Sequence, residues 1–310
     1  MRIIMIGILA AFFFSTTFVL NRAMSLDGGH WVWSASLRYF WMLIFLSAGL
    51  LAVRRKLFIE TLKLYFRHWF FWTIAGGIGF GLFYALLSFS ASYAPGWVVA
   101  ATWQTTILAT PIVLLLFGKR IPLRAMLLTL IIFAGVLLVN VEQAGSNPVS
   151  EILLGAIPVF IAAFAYPFGN QMVWEARQSG SRFIPHLESP AMDDPFCRVL
   201  LLTLGSLPLW AVLIVVLSPP APAMNQILNT ALVAIFSGVI ATSLFLYARN
   251  KATSAAELAA ADCTQSMEVV FSLLGEVFLL GGALPGPMGW AGIVLTMLGL
   301  ALYIRVQNVR

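Results

Sequence analysis

Charge is the property that this sequence most clearly lacks. Only 10% of its 310 residues are Asp, Glu, Lys or Arg, whereas about 25% of the residues of a soluble domain are charged. At the same time, 61% of the residues are hydrophobic. So few charges cannot cover a large apolar core with a solvated surface. The composition therefore excludes a soluble globular protein and predicts an integral membrane protein.

Cysteine, histidine and catalytic motifs are scarce as well. The two cysteines, Cys197 and Cys263, lie in apolar segments and indicate neither a disulfide framework nor a zinc site. The three histidines lie in loops and form no metal-binding pair, and no glycine-rich loop carries the Lys-Ser or Lys-Thr of a phosphate-binding motif. We therefore expect a protein that is not an enzyme and that uses no metal or cofactor.

Long apolar runs are the most prominent feature that is present. There are ten, each of roughly the 20 residues that a helix needs to cross a hydrocarbon layer of about 30 Å. The runs are continuous, which favours helices over the alternating strands of a membrane barrel. We predict an all-α membrane protein with ten transmembrane helices. Spans 1 to 10 cover about residues 3–24, 31–52, 69–92, 97–117, 122–141, 152–174, 197–217, 227–248, 256–280 and 287–306.

The basic residues are concentrated in every second segment between the predicted spans. If the N-terminus is cytoplasmic, all 18 Lys and Arg residues lie on the cytoplasmic side except Arg22, which is outside, and Arg38, which is inside span 2. Cytoplasmic loops are enriched in Lys and Arg, so we expect both termini in the cytoplasm. This bias also explains the net charge of +6 without a nucleic-acid partner. The segment 53–68 is expected to lie on anionic headgroups.

The two halves of the chain carry similar features in the same order. One constant offset carries Gly118, at the end of span 4, onto Gly281, at the end of span 9. Five spans per half is an odd number, so the second half is inverted relative to the first. We predict an inverted pair of repeats, 1–144 and 145–310, that form one transport domain with its site near the bilayer midplane.

Span 9 is unusual because it is apolar and yet carries four acidic residues, which are Glu257, Asp262, Glu268 and Glu276. Glu257 and Asp262 lie toward the cytoplasmic end and are expected to be solvated. Glu268 lies near the middle, where a carboxylate costs at least a few kcal/mol and usually faces a cavity. Gln265 and Ser272 share its side of the helix. Glu268 is therefore the candidate for proton coupling, and Gln265 and Glu268 are candidates for substrate binding. The alternative is a structural carboxyl bonded to a neighbouring helix.

Other polar side chains lie inside the predicted spans. Arg38 and Glu276 both lie in the outer halves of their spans, so we predict an ion pair between them, either structural or involved in gating. Asn21 and the pair Asn170–Gln171 occupy matching positions in the two halves. Amides in a bilayer often link helices. The alternative is that they form hydrogen bonds to a substrate.

Aromatic and amide side chains near the middle of several spans are further candidates for substrate binding; they are Tyr84, Trp103, Gln104, Tyr166 and Tyr247. Aromatic faces suit planar or cationic molecules, although each ring taken alone is more typical of core packing or of a lipid-facing surface. Pro167 removes a helical hydrogen bond beside Tyr166, so we expect a hinge in span 6 or a backbone opened at a cavity.

A family resemblance rests on four stretches: STTFVLNRAM, GGHWVWSASLRYFW, AYPFGNQMVW and MEVVFSLLGEVF. On these stretches the chain resembles the drug/metabolite transporter superfamily and, within it, the multidrug resistance efflux transporter family. The resemblance implies ten helices in two inverted halves and the efflux of small organic molecules. The chain departs from the superfamily in span 9, where Met267-Glu268-Val269 stands in place of an expected proline.

Together these features predict a secondary transporter that exports drugs or metabolites across the plasma membrane by alternating access, with proton exchange at Glu268. The expected partners are a small organic substrate, membrane lipids and protons, and the oligomeric state stays open. The alternatives are a carrier of narrow specificity for metabolite or amino-acid uptake or export, a lipid-linked sugar flippase, and a membrane scaffold that transports nothing.

Overall fold

The computed structural model describes residues 2–119, 123–143, 148–178, 183–251 and 264–307. Within these ranges the fold is all helical and contains no strand. This agrees with the apolar runs, because a helix satisfies its backbone hydrogen bonds internally and needs none from lipid.

The helices are listed here in chain order: α1 (Arg2–Leu26), α2 (Trp31–Val53), α3 (Arg55–Arg67), α4 (Trp69–Gly76), α5 (Phe83–Ser90), α6 (Gly96–Trp103), α7 (Thr106–Leu116), α8 (Leu123–Gln143), α9 (Val149–Gln178), α10 (Pro190–Asp193), α11 (Pro195–Leu217), α12 (Met224–Val233), α13 (Thr242–Lys251), α14 (Met267–Leu280) and α15 (Pro287–Gln307). A first π segment, Gly77–Leu82, joins α4 to α5, and a second, Ala234–Ala241, joins α12 to α13. A 3₁₀ turn, Thr264–Ser266, precedes α14.

Seven segments of the described residues are long and apolar enough to cross a membrane, and they coincide with predicted spans 1 to 4 and 6 to 8. The shorter apolar helices Leu127–Glu142 and Pro287–Leu302 coincide with spans 5 and 10. Span 9 is described only in its second part, α14, so Glu257 and Asp262 lie outside the described residues.

Contacts between α1 and α14 fix the relative direction of these two helices. The rings of Phe12 and Phe271 are 5.4 Å apart, and further along both helices Arg22 Nε lies 3.9 Å from Glu276 Oε1. Residue numbers rise together along the interface, so α1 and α14 are parallel. Spans 1 and 9 are both odd-numbered, and the prediction gives them the same direction.

In contrast to α1 and α14, the helices α8 and α15 pack antiparallel to each other. A Cβ atom added at Gly135 would lie 2.4 Å from Thr296 Oγ1. Near the other end of the interface, the Glu142 carboxylate accepts a hydrogen bond of 2.8 Å from the Gly286 backbone N–H. Residue numbers therefore run in opposite directions, as expected for spans 5 and 10. The small residues let the two backbones approach closely.

Glycines also place the third span tightly against α9 and α11. A Cβ atom at Gly169 would lie 2.4 Å from the Gly79 Cα atom, and one at Gly205 would lie 1.9 Å from the Trp72 carbonyl oxygen. The helix is not broken at Pro167, where we expected a hinge, because α9 is one continuous helix from Val149 to Gln178. Neighbouring helices pack closely around this position and hold the helix together despite the lost hydrogen bond.

Two features recur at matching places in the two predicted repeats. Gly118 and Gly281, the pair that the sequence offset matched, end α7 and α14 with left-handed φ angles of 73° and 67°. Glycine adopts this conformation without the Cβ penalty of other residues. The third and the eighth span also each contain a π segment between two α-helices. These correspondences support the predicted repeat.

Candidate functional site

The polar side of span 9 is present in the structure at the start of α14. Glu268 lies in the first turn of this helix and is only 5% exposed. Among the described residues, its carboxylate has neither a hydrogen-bond donor nor a cationic partner. Gln265 Nε2 and Ser272 Oγ are also buried without a partner there. Three polar side chains in α14 and in the 3₁₀ turn before it therefore have unused hydrogen-bonding capacity.

The favourable interaction of a carboxylate with the N-terminus of its helix is too small to offset the cost of burying the Glu268 charge. A carboxylate near a helix N-terminus gains about 0.3–1 kcal/mol, and up to about 2 kcal/mol in favourable geometry. Placing a carboxylate in the bilayer interior costs about 2.5–3.5 kcal/mol or more. The position therefore favours a neutral carboxyl group or one that is paired with a cation.

Three aromatic rings from three spans meet close to Glu268. The centroid of the Phe83 ring is 4.9 Å from that of Trp103 and 5.0 Å from that of Tyr166, and Trp103 and Tyr166 are 5.6 Å apart. Tyr166 lies within Coulombic range of Glu268 and Arg38, and its side chain is nevertheless 37% exposed. Tyr166 therefore lies at the partly exposed edge of this aromatic group, next to the two buried charged side chains.

Phe83 is a member of this group that the sequence did not single out. The sequence favoured its neighbour Tyr84, which is fully buried in the structure. The first π segment ends immediately before Phe83. A π segment has a wider turn than an α-helix and so changes the direction of the side chains that follow it. A helical wheel drawn at constant angle gives no signal for this shift.

Tyr84 and Asn21 belong to a buried network behind the aromatic group. Asn21 Nδ2 donates a hydrogen bond of 3.0 Å to the Tyr84 hydroxyl, and the Arg38 guanidinium lies 4.0 Å from the centre of the Tyr84 ring. Ser237 Oγ accepts hydrogen bonds from Arg38 (3.3 Å) and Thr17 (2.7 Å). Here an amide links helices, and the network joins spans 1, 2, 3 and 8.

Other candidate residues from the sequence bond within their own helices or lie at the surface. Gln104 is 4% exposed, and its Nε2 atom lies 3.4 Å from the Ala100 carbonyl oxygen, next to the break between α6 and α7. Asn170 Nδ2 donates to the Tyr166 carbonyl at 2.9 Å. Tyr247, in α13, is 43% exposed. These contacts place none of the three against the Glu268 carboxylate.

Glu276 is paired with Arg22 and not with Arg38 as the sequence predicted. Its Oε1 atom lies 3.9 Å from Arg22 Nε, and its Oε2 atom accepts a hydrogen bond of 2.9 Å from the Gly96 N–H, the first residue of α6. The parallel packing of α1 on α14 brings Arg22 to Glu276, while Tyr84 and Ser237 hold Arg38. We call Arg22, Gly96 and Glu276 the Glu276 clamp.

A second set of charged residues joins α7 to α9. Lys119 Nζ lies 2.8 Å from Glu175 Oε1 and 4.5 Å from the centre of the Trp174 ring. The same carboxylate oxygen accepts a hydrogen bond of 2.9 Å from Gln171 Nε2. We call Lys119, Gln171, Trp174 and Glu175 the Glu175 clamp. Sequence reasoning missed Glu175, although its four-residue spacing from Gln171 was a usable signal.

The two clamps lie at opposite ends of the molecule. Gly96 is the first residue of the span Gly96–Leu116, and Lys119 follows its last residue closely. A helical span of 21 residues is about 31 Å long at 1.5 Å per residue. Each clamp also pairs residues of 1–144 with residues of 145–310, so each connects the two predicted repeats.

No group of three or more His, Cys, Asp or Glu side chains able to hold a metal ion occurs in the described part of the chain.

Comparisons with known proteins point to a single family. The chain is 39% identical over 319 residues to "Uncharacterized protein YjlA" of Bacillus subtilis (strain 168), covering 98% of this chain and 94% of that protein. It is also 39% identical over 266 residues to an "Uncharacterized 42.1 kDa protein" of Shouchella clausii, covering 81% of this chain and 65% of that one. A solved structure, described only as "Crystal structure of protein", matches with a TM-score of 0.61 at 16% identity, covering 100% of this chain and 98% of that one. This last likeness shows a shared fold.

A family model described as "EmrE: Putative multidrug resistance efflux transporter" matches residues 1–309. This match confirms the resemblance that the four sequence stretches indicated. It describes a transporter family and not an enzyme family, which agrees with the seven apolar helices long enough to span a membrane. The chain is therefore a multi-pass protein of the bacterial plasma membrane with a small-molecule substrate, and it belongs to the EmrE family of multidrug resistance efflux transporters.

Proposed function

We propose that the protein is a secondary transporter that exports small organic molecules by alternating access. In this proposal, ten spans form two inverted five-helix repeats, 1–144 and 145–310, with both termini in the cytoplasm. The matching glycine ends of α7 and α14 and the relative directions of the helices that touch support this arrangement. The observation that carries the proposal is the buried Glu268 carboxylate, which has no described partner and lies close to a group of three aromatic rings.

The substrate we propose is a cation, or a molecule that becomes one by protonation, with a flat apolar body. Glu268 supplies the opposite charge, and Gln265 and Ser272 supply hydrogen bonds beside it. Phe83, Trp103 and Tyr166 supply ring faces, and a cation over such a face gains about 0.5–2 kcal/mol. A mostly apolar site with a few polar groups is typical of small-molecule recognition.

Proton exchange follows from the position of Glu268. A carboxyl group in an apolar environment is stabilised by binding either a proton or a cation, because an unpaired charge there is too costly. In the proposed cycle, substrate and proton occupy Glu268 in turn. Exchange of one proton for one monovalent cation keeps the net charge constant during each crossing.

The two clamps provide the means of alternating access in this proposal. The Glu276 clamp must separate before the site opens at one end, and the Glu175 clamp must separate before it opens at the other. Both clamps are closed in the structure, so the proposal treats this conformation as an intermediate between the two open states.

The decisive test is the variant Glu268→Gln in proteoliposomes with an imposed proton gradient. Glutamine has nearly the same size and cannot carry the proton or the negative charge. We expect export of a cationic aromatic dye to lose its dependence on the proton gradient and to fall at least tenfold. Glu151→Gln, which makes the same change at an exposed residue, should transport as the unmodified protein does. Unchanged proton-coupled transport by Glu268→Gln would reject the proposed role.

A further inference from the structure

The helix α3, between the second and third spans, is amphipathic. Its buried side includes Thr61 and Leu64, and it packs on α2, α10 and α11. Its other side exposes Phe66, which is 70% accessible. The exposed basic residues of this helix are Arg55, Lys56, Lys63 and Arg67, against one acid, Glu60. A basic, aromatic helix of this kind lies in the plane of a membrane interface.

A cavity of about 290 Å³ lies where α3 ends and α4 begins. Arg67 and His68 contribute its polar and charged wall. The apolar part of its lining includes Trp69, Phe71, Met172 and Phe183. One cavity therefore offers a cationic wall and an apolar wall at the level where a span leaves the membrane.

The positive charge of this corner is not neutralised by the described part of the protein. Arg67 forms no ion pair with a described residue, and the two acidic residues at the end of α10 are already paired with other arginines. Burial, followed by the charge of Arg67, lowers the pKa of His68. His68 is therefore neutral at pH 7 and available as a hydrogen-bond donor beside an uncompensated guanidinium.

We propose that this corner is a binding site for an anionic phospholipid. Its phosphate binds Arg67 and His68, and an acyl chain runs along Phe70 and Ile74, which are 64% and 37% exposed. The charge complementarity selects an anionic headgroup, since an arginine forms strong charge-assisted hydrogen bonds with phosphate. The apolar wall selects a lipid over a soluble phosphate ester.

A bound lipid would connect elements of both predicted repeats. Arg67 and His68 precede the third span, whereas Met172 lies on α9, less than one turn from Glu175. The lipid site and the Glu175 clamp thus involve the same part of α9. Lipid binding itself needs no transport, so its test stands apart from the test of Glu268.

Native mass spectrometry of the full-length protein can test the site, with phosphatidylglycerol and phosphatidylcholine of identical acyl chains as probes. We expect retention of phosphatidylglycerol at least tenfold stronger than that of phosphatidylcholine. Arg67→Gln should remove most of this preference, and Arg67→Lys should restore part of it. Arg55→Gln, at the far end of the same helix, is the matched control and should keep it.

Three results would overturn the proposal. The first is equal retention of the two lipids by the unmodified protein. The second is an unchanged preference in Arg67→Gln. The third is an equal loss in Arg67→Gln and Arg55→Gln, which would indicate diffuse attraction to a basic surface instead of a site. Each variant must first elute as the same monodisperse species as the unmodified protein. If Arg67→Gln does not elute in this way, the lipid preferences of Arg67→Lys and His68→Ala are compared with that of the unmodified protein instead.

Discussion

The two clamps lie at opposite ends of the same bundle and differ in chemistry. In the Glu276 clamp, the Arg22 side chain is 18% exposed, and a backbone N–H of α6 also binds the carboxylate. In the Glu175 clamp, the Lys119 side chain is 38% exposed and lies against a tryptophan ring. The first is a drier contact that includes a backbone group, and the second is made of side chains that water can reach.

This difference sets the expected cost of opening each end. Removing one partner from a buried ion pair costs about 3–5 kcal/mol, because the remaining charge is left uncompensated. An exposed ion pair contributes about 0–1 kcal/mol, and a cation over a ring at an exposed site adds about 0.5–1 kcal/mol. We therefore expect the end closed by the Glu175 clamp to open at the lower cost.

The largest effect should come from removing the carboxylate of the drier clamp. We expect Glu276→Ala to lower the free energy of unfolding by about 3–5 kcal/mol, because Arg22 is left in a largely buried place. Glu175→Ala should cost less, because Lys119 can turn to water. Thermal unfolding of the two purified variants in the same detergent measures the difference. An equal or larger loss in Glu175→Ala would contradict this comparison.

The double variant Arg22→Ala/Glu276→Ala tells whether the orphaned charge causes the loss. It should be more stable than Glu276→Ala alone, because the unpaired guanidinium is gone. If the double variant is the less stable of the two, Arg22 stabilises the fold without Glu276, through its hydrogen bond of 3.0 Å to the Ala91 carbonyl oxygen, and the orphaned charge is not the cause of the loss.

A smaller effect should appear in the salt dependence of the Glu175 clamp. A double-mutant cycle of Lys119→Met and Glu175→Gln should give a coupling of about 1 kcal/mol at 0.1 M salt. At 1 M salt the Debye length falls to about 3 Å, so we expect most of this coupling to disappear. The coupling of Arg22 with Glu276 should change less, because those side chains are drier. Similar salt dependence in the two cycles would remove the distinction.

The smallest expected effect is a loss of stability at low pH through His30, which lies at the same end of the molecule as the Glu276 clamp. His30 precedes α2, and its Nδ1 atom accepts a hydrogen bond of 3.3 Å from the Val32 N–H. Burial lowers the pKa of His30 below its ordinary value of 6.5. The folded protein then binds fewer protons than the unfolded chain, so this contribution to stability is complete above pH 6.5 and is lost as the pH falls through the lowered pKa.

Comparison of thermal midpoints at pH 7 and pH 5 measures this contribution. His30→Asn retains a capping side chain that does not titrate in this range, so it should reduce the loss of stability in acid. His186→Asn, a change at another loop histidine, is the control. If His30→Asn and the unmodified protein lose the same stability between pH 7 and pH 5, His30 does not cause the loss.

Local features of the sequence predicted much of the architecture. Apolar length located the segments that form helices long enough to span a membrane, and the offset between Gly118 and Gly281 matched two glycines that both end helices in the left-handed conformation. The sequence also placed Glu268 and Ser272 in one apolar span, and both are buried in α14. These predictions succeeded because each depends on one helix and its own periodicity.

Predictions that needed a partner from another helix were less successful. Similar depth in the membrane suggested Arg38 for Glu276, but the packing of α1 beside α14 brings Arg22 there instead. The sequence offered Tyr84 as a candidate for substrate binding, but Tyr84 is fully buried, and it is its neighbour Phe83 whose ring contacts Trp103 and Tyr166. The sequence did not single out Glu175, because its ion pair with Lys119 forms only when the end of α7 packs beside α9.

By itself, the sequence determined that this protein is a helical membrane protein, where most of its spans lie, and that Glu268 is an acid within one of them. These properties follow from the cost of polar groups in hydrocarbon, which acts on each segment separately. Only the tertiary structure decided which charges pair and which aromatic rings meet near Glu268. These depend on contacts between helices, which lie far apart in the chain and meet only through packing.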